Sequence, residues 1–306
     1  MFLILDNCNK INKNLKLYKM NQNQFKLILL SVFALFTISS FAQDKYGGLA
    51  LYTVRNDMRT NAKETLKKVA DIGYKNIEAA GYRDGKYYDM SPADFKAYVE
   101  KLGLVPVSTH QSAVTLENAE TMFADAKEAG FEYFVVPIPP MGLFQRDPAT
   151  NTMGMKGGVE NLSKILAELG EKCHKAGLKL LYHNHDFEFM KDKDGVVTID
   201  YLLEHSDPKY VNFQMDLYWV TKAGADPLAY FEKYPGRFKL WHVKDMDEQG
   251  RFAPVGNGTI DFAKILKEKK LSGMEHYFVE QDRTFNMKPL EAIQVSHDAL
   301  NKIGFK

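Results

Sequence analysis

The sequence predicts a single (β/α)8 barrel preceded by a cleavable leader. Short apolar runs alternate with amphipathic segments from residue 47 to the end. Glycine recurs where a helical run gives way to the next apolar run. No linker or shift of composition divides that stretch.

The strand candidates are 48–54, 76–80, 105–110, 133–137, 179–185, 211–216, 239–244 and 277–281. They are short and continuously apolar, as parallel strands covered on both faces should be. Helix candidates lie near 62–72, 92–102, 116–129, 159–176, 227–234, 262–268 and 289–303. Leu162, Ile165, Leu166 and Leu169 recur at threes and fours, which places them on one helical face. Gly73, Gly103, Gly130 and Gly177 each follow a helical run, and glycine there adopts the left-handed conformation that ends a helix. Residues 186–200 contain a turn-rich Lys-Asp-Lys-Asp-Gly stretch, read as a small hairpin at the barrel mouth. His174, His205 and His297 fall on helical stretches and are read as surface residues, and His276 precedes the last strand.

The chain has 306 residues, 26% charged and 45% hydrophobic, with a formal charge of +1. That hydrophobic content excludes a disordered chain, and the near-zero charge argues against a nucleic-acid binder. Residues 27–38 form an uncharged apolar run after Lys26, and Ser40-Phe41-Ala42 supplies small residues for cleavage. A signal peptide fits this order, with 1–42 as leader, Met20 as the true start and 43–306 as the barrel. The run is short of the about 20 residues that a membrane span needs. Losing five lysines and one aspartate with the leader takes the charge to −3, and Cys173 then stands alone without an internal disulfide partner. The expected protein is exported and periplasmic, with no stable membrane span; its oligomeric state is left open.

In such a barrel the active site lies where strands end. Those ends carry Glu78, His110, His183, His185, Asp216, His242, Lys244, Asp245, Glu280 and Asp282. Burying so many ionisable groups together is costly unless they pair or bind a cation. Asp216, His242 and Glu280 close the sixth, seventh and eighth strands. Two carboxylates and an imidazole suit one divalent ion: Mn, Mg, Co or Zn.

The alternating pattern, with YHNHDFEF at 182–189, QMD at 214–216, HVKD at 242–245, VGNGTIDF at 255–262 and VE at 279–280, resembles the xylose isomerase-like TIM-barrel superfamily, in its sugar phosphate isomerase/epimerase branch. The resemblance covers nearly all of 43–306. It implies one divalent cation held at the ends of strands five to eight, with Asp216, His242 and Glu280 at the last three positions. At the first, where relatives have Glu, this chain aligns His183, with His185 two residues on. Trp219 stands where some ketose epimerases have a substrate-binding His. Glu280 would be both ligand and base, and His185 its partner acid/base. Glu78 and His110 would contact substrate hydroxyls or relay protons, with Trp219, Lys244 and Arg251 also facing the substrate.

These expectations describe an isomerase or epimerase acting through an enediolate on a sugar or keto-sugar. No Gly-rich phosphate cradle is present, so the substrate is expected without phosphate. The alternative is a lyase or dehydratase that eliminates water or an alkoxide from a 3-keto-glycoside or inosose; the strand-five His resembles those branches. A third possibility is a non-catalytic sugar-binding barrel, with Tyr52, Tyr82, Tyr87, Tyr88, Tyr218 and Trp219 stacking on sugar rings.

Overall fold

A computed structural model describes residues 46–146, 153–192 and 194–306. The leader expected at 1–42 lies outside the described residues. Eight parallel strands form the barrel: β1 (Gly48–Ala50), β2 (Asn76–Ala79), β3 (Val105–His110), β4 (Tyr133–Val136), β5 (Lys179–His183), β6 (Val211–Asp216), β7 (Phe238–Val243) and β8 (His276–Val279). β1 pairs with both β2 and β8, which closes the ring.

The period of two along each strand sorts side chains between two environments. Leu180, Tyr182, Phe213, Met215, Trp241 and Val243 face the outer core beneath the helices. Leu181, Leu240 and Phe278 belong to a separate apolar cluster with Ala50, Val107, Tyr133 and Val135. Two residues on from Leu181, Leu240 and Phe278 stand His183, His242 and Glu280, so alternation puts all three on the inner side at the mouth. Strand register slips between Ile77 and Glu78 and between Phe213 and Gln214. Both irregularities fall just before polar side chains of the mouth, where such a kink re-aims the next side chain.

The helices are α1 (Arg55–Ile72), α2 (Pro92–Lys101), α3 (Ala119–Glu128), α4 (Gly158–Lys175), α5 (Thr198–His205), α6 (Leu217–Lys222), α7 (Pro227–Lys233), α8 (Phe262–Lys267), α9 (Lys269–Ser272) and α10 (Pro289–Ile303). In α4 the buried stripe is Val159, Leu162, Leu166, Leu169 and Cys173, the spacing read from the sequence. Gly73 ends α1 at φ 115°, and Gly103, Gly130 and Gly177 also have positive φ. No described helix is long and apolar enough to cross a membrane.

Four expectations are corrected. β1 stops at Ala50, and Leu51–Val54 coils into a 3-10 turn whose Thr53 hydroxyl accepts a hydrogen bond from the Gln281 amide at 3.0 Å. The helix expected from 62 begins at Arg55 and breaks at Asn61, whose side chain caps the second half by accepting from the Glu64 amide. The hairpin expected in 186–200 is reduced to one bridge, Lys191 to Val197, because Thr198 already starts α5. His174 and His205 are exposed, but His297 is buried, edge-on to Tyr74 and tilted against Tyr46.

Candidate active site

At the carboxyl end of the barrel lies a connected polar cluster, buried at its centre and partly open to solvent at Asp282. His242 lies between two carboxylates, its Nε2 2.7 Å from Glu78 Oε1 and its Nδ1 2.9 Å from Glu280 Oε2. Asp216 is the partner of His242 in the β6–β7 register, which brings its Oδ2 within 3.7 Å of His242 Nδ1. Its Oδ1 is occupied, accepting from the Tyr218 and Trp219 amides at the start of α6. The same side chain therefore ends a strand, caps a helix and turns its second oxygen toward Lys244, His242 and His183. His183 Nε2 is 3.8 Å from that oxygen, while His183 Nδ1 is 2.9 Å from Gln214 Oε1. Gln214 and Ser108 both donate to Glu78 Oε2, each at 2.8 Å.

Lys244 supplies a positive charge to this set. Its Nζ is 2.9 Å from Asp216 Oδ2, 2.6 Å from Glu280 Oε2 and 3.1 Å from Asp282 Oδ2. Burial opposes the Lys244 and His242 charges, yet neighbouring carboxylates (Asp216 and Glu280 for the lysine, Glu280 and Glu78 for the histidine) raise both groups well above their ordinary values. Burial alone would raise the Glu280 carboxyl, but the charges of His242 and Lys244 hold it well below the usual range. That keeps Glu280 anionic, the form in which it could serve as a ligand or as a base. Burial lowers His110 and His183, and pushes His185 down to about 4 with help from the Lys244 charge. These three imidazoles are therefore neutral near pH 7.

The donor set fits a divalent cation. Asp216, His242 and Glu280 offer ligand atoms within 4.8 Å of one another, and His183 adds a second imidazole. His242 and His183 each have the other ring nitrogen tied to Glu78 or Gln214, the outer support usual for metal-binding histidines. Asp216 Oδ2 is buried without a well-directed hydrogen bond, although the Lys244 ammonium lies close. Charge points the same way. Four carboxylates (Glu78, Asp216, Glu280 and Asp282) meet one ammonium and one imidazole, leaving two negative charges even with His242 protonated.

The other expected residues divide. His110 sits on the inner side at the end of β3, its ring centroid 4.9 Å from that of His183, with Nε2 buried and unpartnered. Trp219 lies 5.5 Å, ring to ring, from His185, and both have a buried nitrogen without a partner. Arg251 is not drawn into the cluster; it is exposed, pairs with Asp247 at 2.8 Å and lies over the Phe285 ring. Tyr82, Tyr87 and Tyr88 are occupied elsewhere: Tyr87 packs on Phe95 and Phe131, Tyr88 receives the Ala80 amide, and Tyr82 donates to Asp125. Asp245 is a loop anchor, its carboxylate gathering the amides of Gly256, Gly258 and Ile260.

Sequence reasoning missed Ser108, Gln214 and Glu188. Glu188 is fully buried and accepts at 2.7 Å from both the His185 amide and the Tyr182 hydroxyl. Burial pushes its carboxyl up to about 8. A charged residue inside the apolar Phe-Glu-Phe run was the available signal.

The family described as xylose isomerase-like TIM barrel matches residues 66–303. The chain belongs to that family. Within it, an inosose dehydratase of Lacticaseibacillus casei is 30% identical over 147 residues, covering 40% of this chain and 47% of that enzyme. The chain thus spans about half the length of the curated relatives it matches. A solved sugar phosphate isomerase/epimerase from Parabacteroides distasonis is 25% identical, covers 84% of this chain and 98% of its own, and superposes with a TM-score of 0.72. The IolI protein, solved with a zinc atom, shares the fold at 17% identity and a TM-score of 0.63, covering 84% of this chain and 97% of its own.

Proposed function

We propose that this family member is a divalent-metal-dependent carbohydrate enzyme that removes the proton beside a carbonyl of a sugar or keto-sugar, and that loss of the β-oxygen substituent follows. One observation carries the reading: His183 Nε2, Asp216 Oδ2, His242 Nδ1 and Glu280 Oε2 converge at the buried floor of the mouth, backed by Glu78 and Gln214. A divalent cation there supplies positive charge for the oxyanion that develops on the substrate carbonyl. The Lys244 ammonium bridges two of these oxygens, Asp216 Oδ2 at 2.9 Å and Glu280 Oε2 at 2.6 Å, which a cation would share with it. His185, whose Nδ1 is buried without a hydrogen-bond partner, accepts the carbon-bound proton. The C–H electron pair becomes the enolate, then forms the C=C bond as the β C–O bond breaks, and the departing oxygen keeps that bond's electrons. The departing oxygen takes up a proton through His110, whose Nε2 is buried without a partner, and the proton gained by His185 makes good that loss, so both imidazoles end neutral.

Elimination is favoured by the imidazole that stands at the end of β5, and by the inosose dehydratases among the relatives. The second reading, isomerisation or epimerisation, shares the proton-removal step and is supported by the Parabacteroides neighbour. The apolar run at 27–38 supports an exported enzyme acting on unphosphorylated substrates.

Purified protein is assayed for metal content, then incubated in D2O with free sugars, 3-keto-glycosides and inososes and followed by NMR. An unsaturated ketone identifies the lyase; deuterium in intact sugar identifies the isomerase or epimerase. Metal-free protein with neither outcome overturns the proposal. Asp216→Ala and His242→Ala are expected to lose metal and turnover, and comparing His183→Ala with His185→Ala by metal content identifies the strand-five ligand.

A further inference from the structure

Four aromatic side chains, Trp219, Phe252, Phe285 and Tyr52, follow the neighbouring strands β6, β7, β8 and β1. The inner tier is Trp219 and Phe252, half-buried, 5.7 Å apart between ring centroids and edge-to-face. Lys244 Nζ is 5.5 Å from the first ring and 5.6 Å from the second, so this tier borders the cluster directly. The outer tier is Tyr52 and Phe285, exposed by 40% and 50%. They belong to the loops after β1 and β8, neighbouring strands in the closed ring.

Continuous contacts join the tiers. Asp282, bonded to Lys244, accepts on its carbonyl from Arg55 at 2.9 Å, and the Arg55 guanidinium lies 4.3 Å over the Tyr52 ring. On the other side Arg251, next in sequence to Phe252, lies 5.1 Å over Phe285. Each outer ring is thus steadied by a guanidinium while part of it meets solvent. Covering the exposed part of such rings releases ordered water and is favourable. Trp219 and Phe252 border the Lys244 locus, whereas Tyr52 and Phe285 stand farther out with much of each ring exposed.

We propose that Tyr52 and Phe285 form a second subsite, which binds the apolar face of a ring attached to the reacting sugar. The inference deepens the proposed function and rests on it: the substrate class becomes a glycoside whose substituent is itself a ring, either a second sugar or an aryl group. Both present a flat C–H or π face that stacks on an aromatic ring. In the elimination, this outer ring leaves with the β-oxygen.

The test is calorimetric titration of metal-loaded full chain with three unreactive probes: methyl β-glucoside, phenyl β-glucoside and cellobiose. Both two-ring probes are expected to bind about tenfold more tightly than methyl β-glucoside. Tyr52→Ala and Phe285→Ala are expected to reduce that advantage to about twofold or less, with metal content checking that the mouth is intact. Gain for only one two-ring probe assigns the outer ring to sugar or to aryl. Methyl β-glucoside binding with no gain from a second ring overturns the subsite alone. No binding of any probe overturns the subsite together with the carbohydrate reading beneath it.

Discussion

His185 is held from behind by a residue that touches no substrate position. Glu188 accepts its backbone N–H and the Tyr182 hydroxyl in a fully buried setting. Glu188→Ala leaves two buried donors unpaired, at a cost of about 1–3 kcal/mol each, and frees the turn that aims the imidazole. Glu188→Gln keeps an acceptor for the amide and a polar partner for the phenol. Turnover is expected to fall about a hundredfold in the alanine variant and less than tenfold in the glutamine variant. Nitrogen NMR of the imidazoles checks the cause, since the His185 signals should move in Glu188→Ala while metal content stays constant.

Among the elements, the segment after β7 shows how a motif can look catalytic and be architectural. Asp245 binds three amides of the Val-Gly-Asn-Gly-Thr-Ile stretch, and a Cβ on Gly258 would stand 2.2 Å from Asp245 Oδ1. Gly258→Ala is therefore expected to cost about 1–3 kcal/mol, seen as a lower melting temperature and faster proteolytic cleavage of that loop. In α10, burial holds His297 below its ordinary value of 6.5. The unfolded chain then binds the proton more readily, so the contribution is present above about pH 6.5 and is lost as pH falls below it. Between pH 7 and pH 5 the melting temperature of the wild type should fall further than that of His297→Phe; parallel melting curves for the two proteins would exclude this role.

For the whole molecule, the four proposed ligands come from the ends of β5 to β8, four strands that lie side by side in the ring. A cation bound there favours the folded chain by mass action, about 2.7 kcal/mol at a hundredfold excess over Kd. Added Mn2+ or Zn2+ should raise the melting temperature of the wild type by several degrees, and Asp216→Ala should abolish the rise. An equal shift in both proteins would place the binding elsewhere.

The chain order alone determined the barrel, because apolar runs, helical faces and closing glycines repeat in step with it. It also determined which residues end the strands, since His183, His242 and Glu280 each follow an inner apolar residue by two. It could not determine partners that depend on register. Gln214 and Ser108 became supports of Glu78 only through strand pairing and two local slips. Short helices such as α6 were hidden because their cap, Asp216, is shared with the preceding strand. Tertiary structure alone decided that Arg251 faces the rim and His297 the interior, because burial is set by what packs across the chain rather than by position along it.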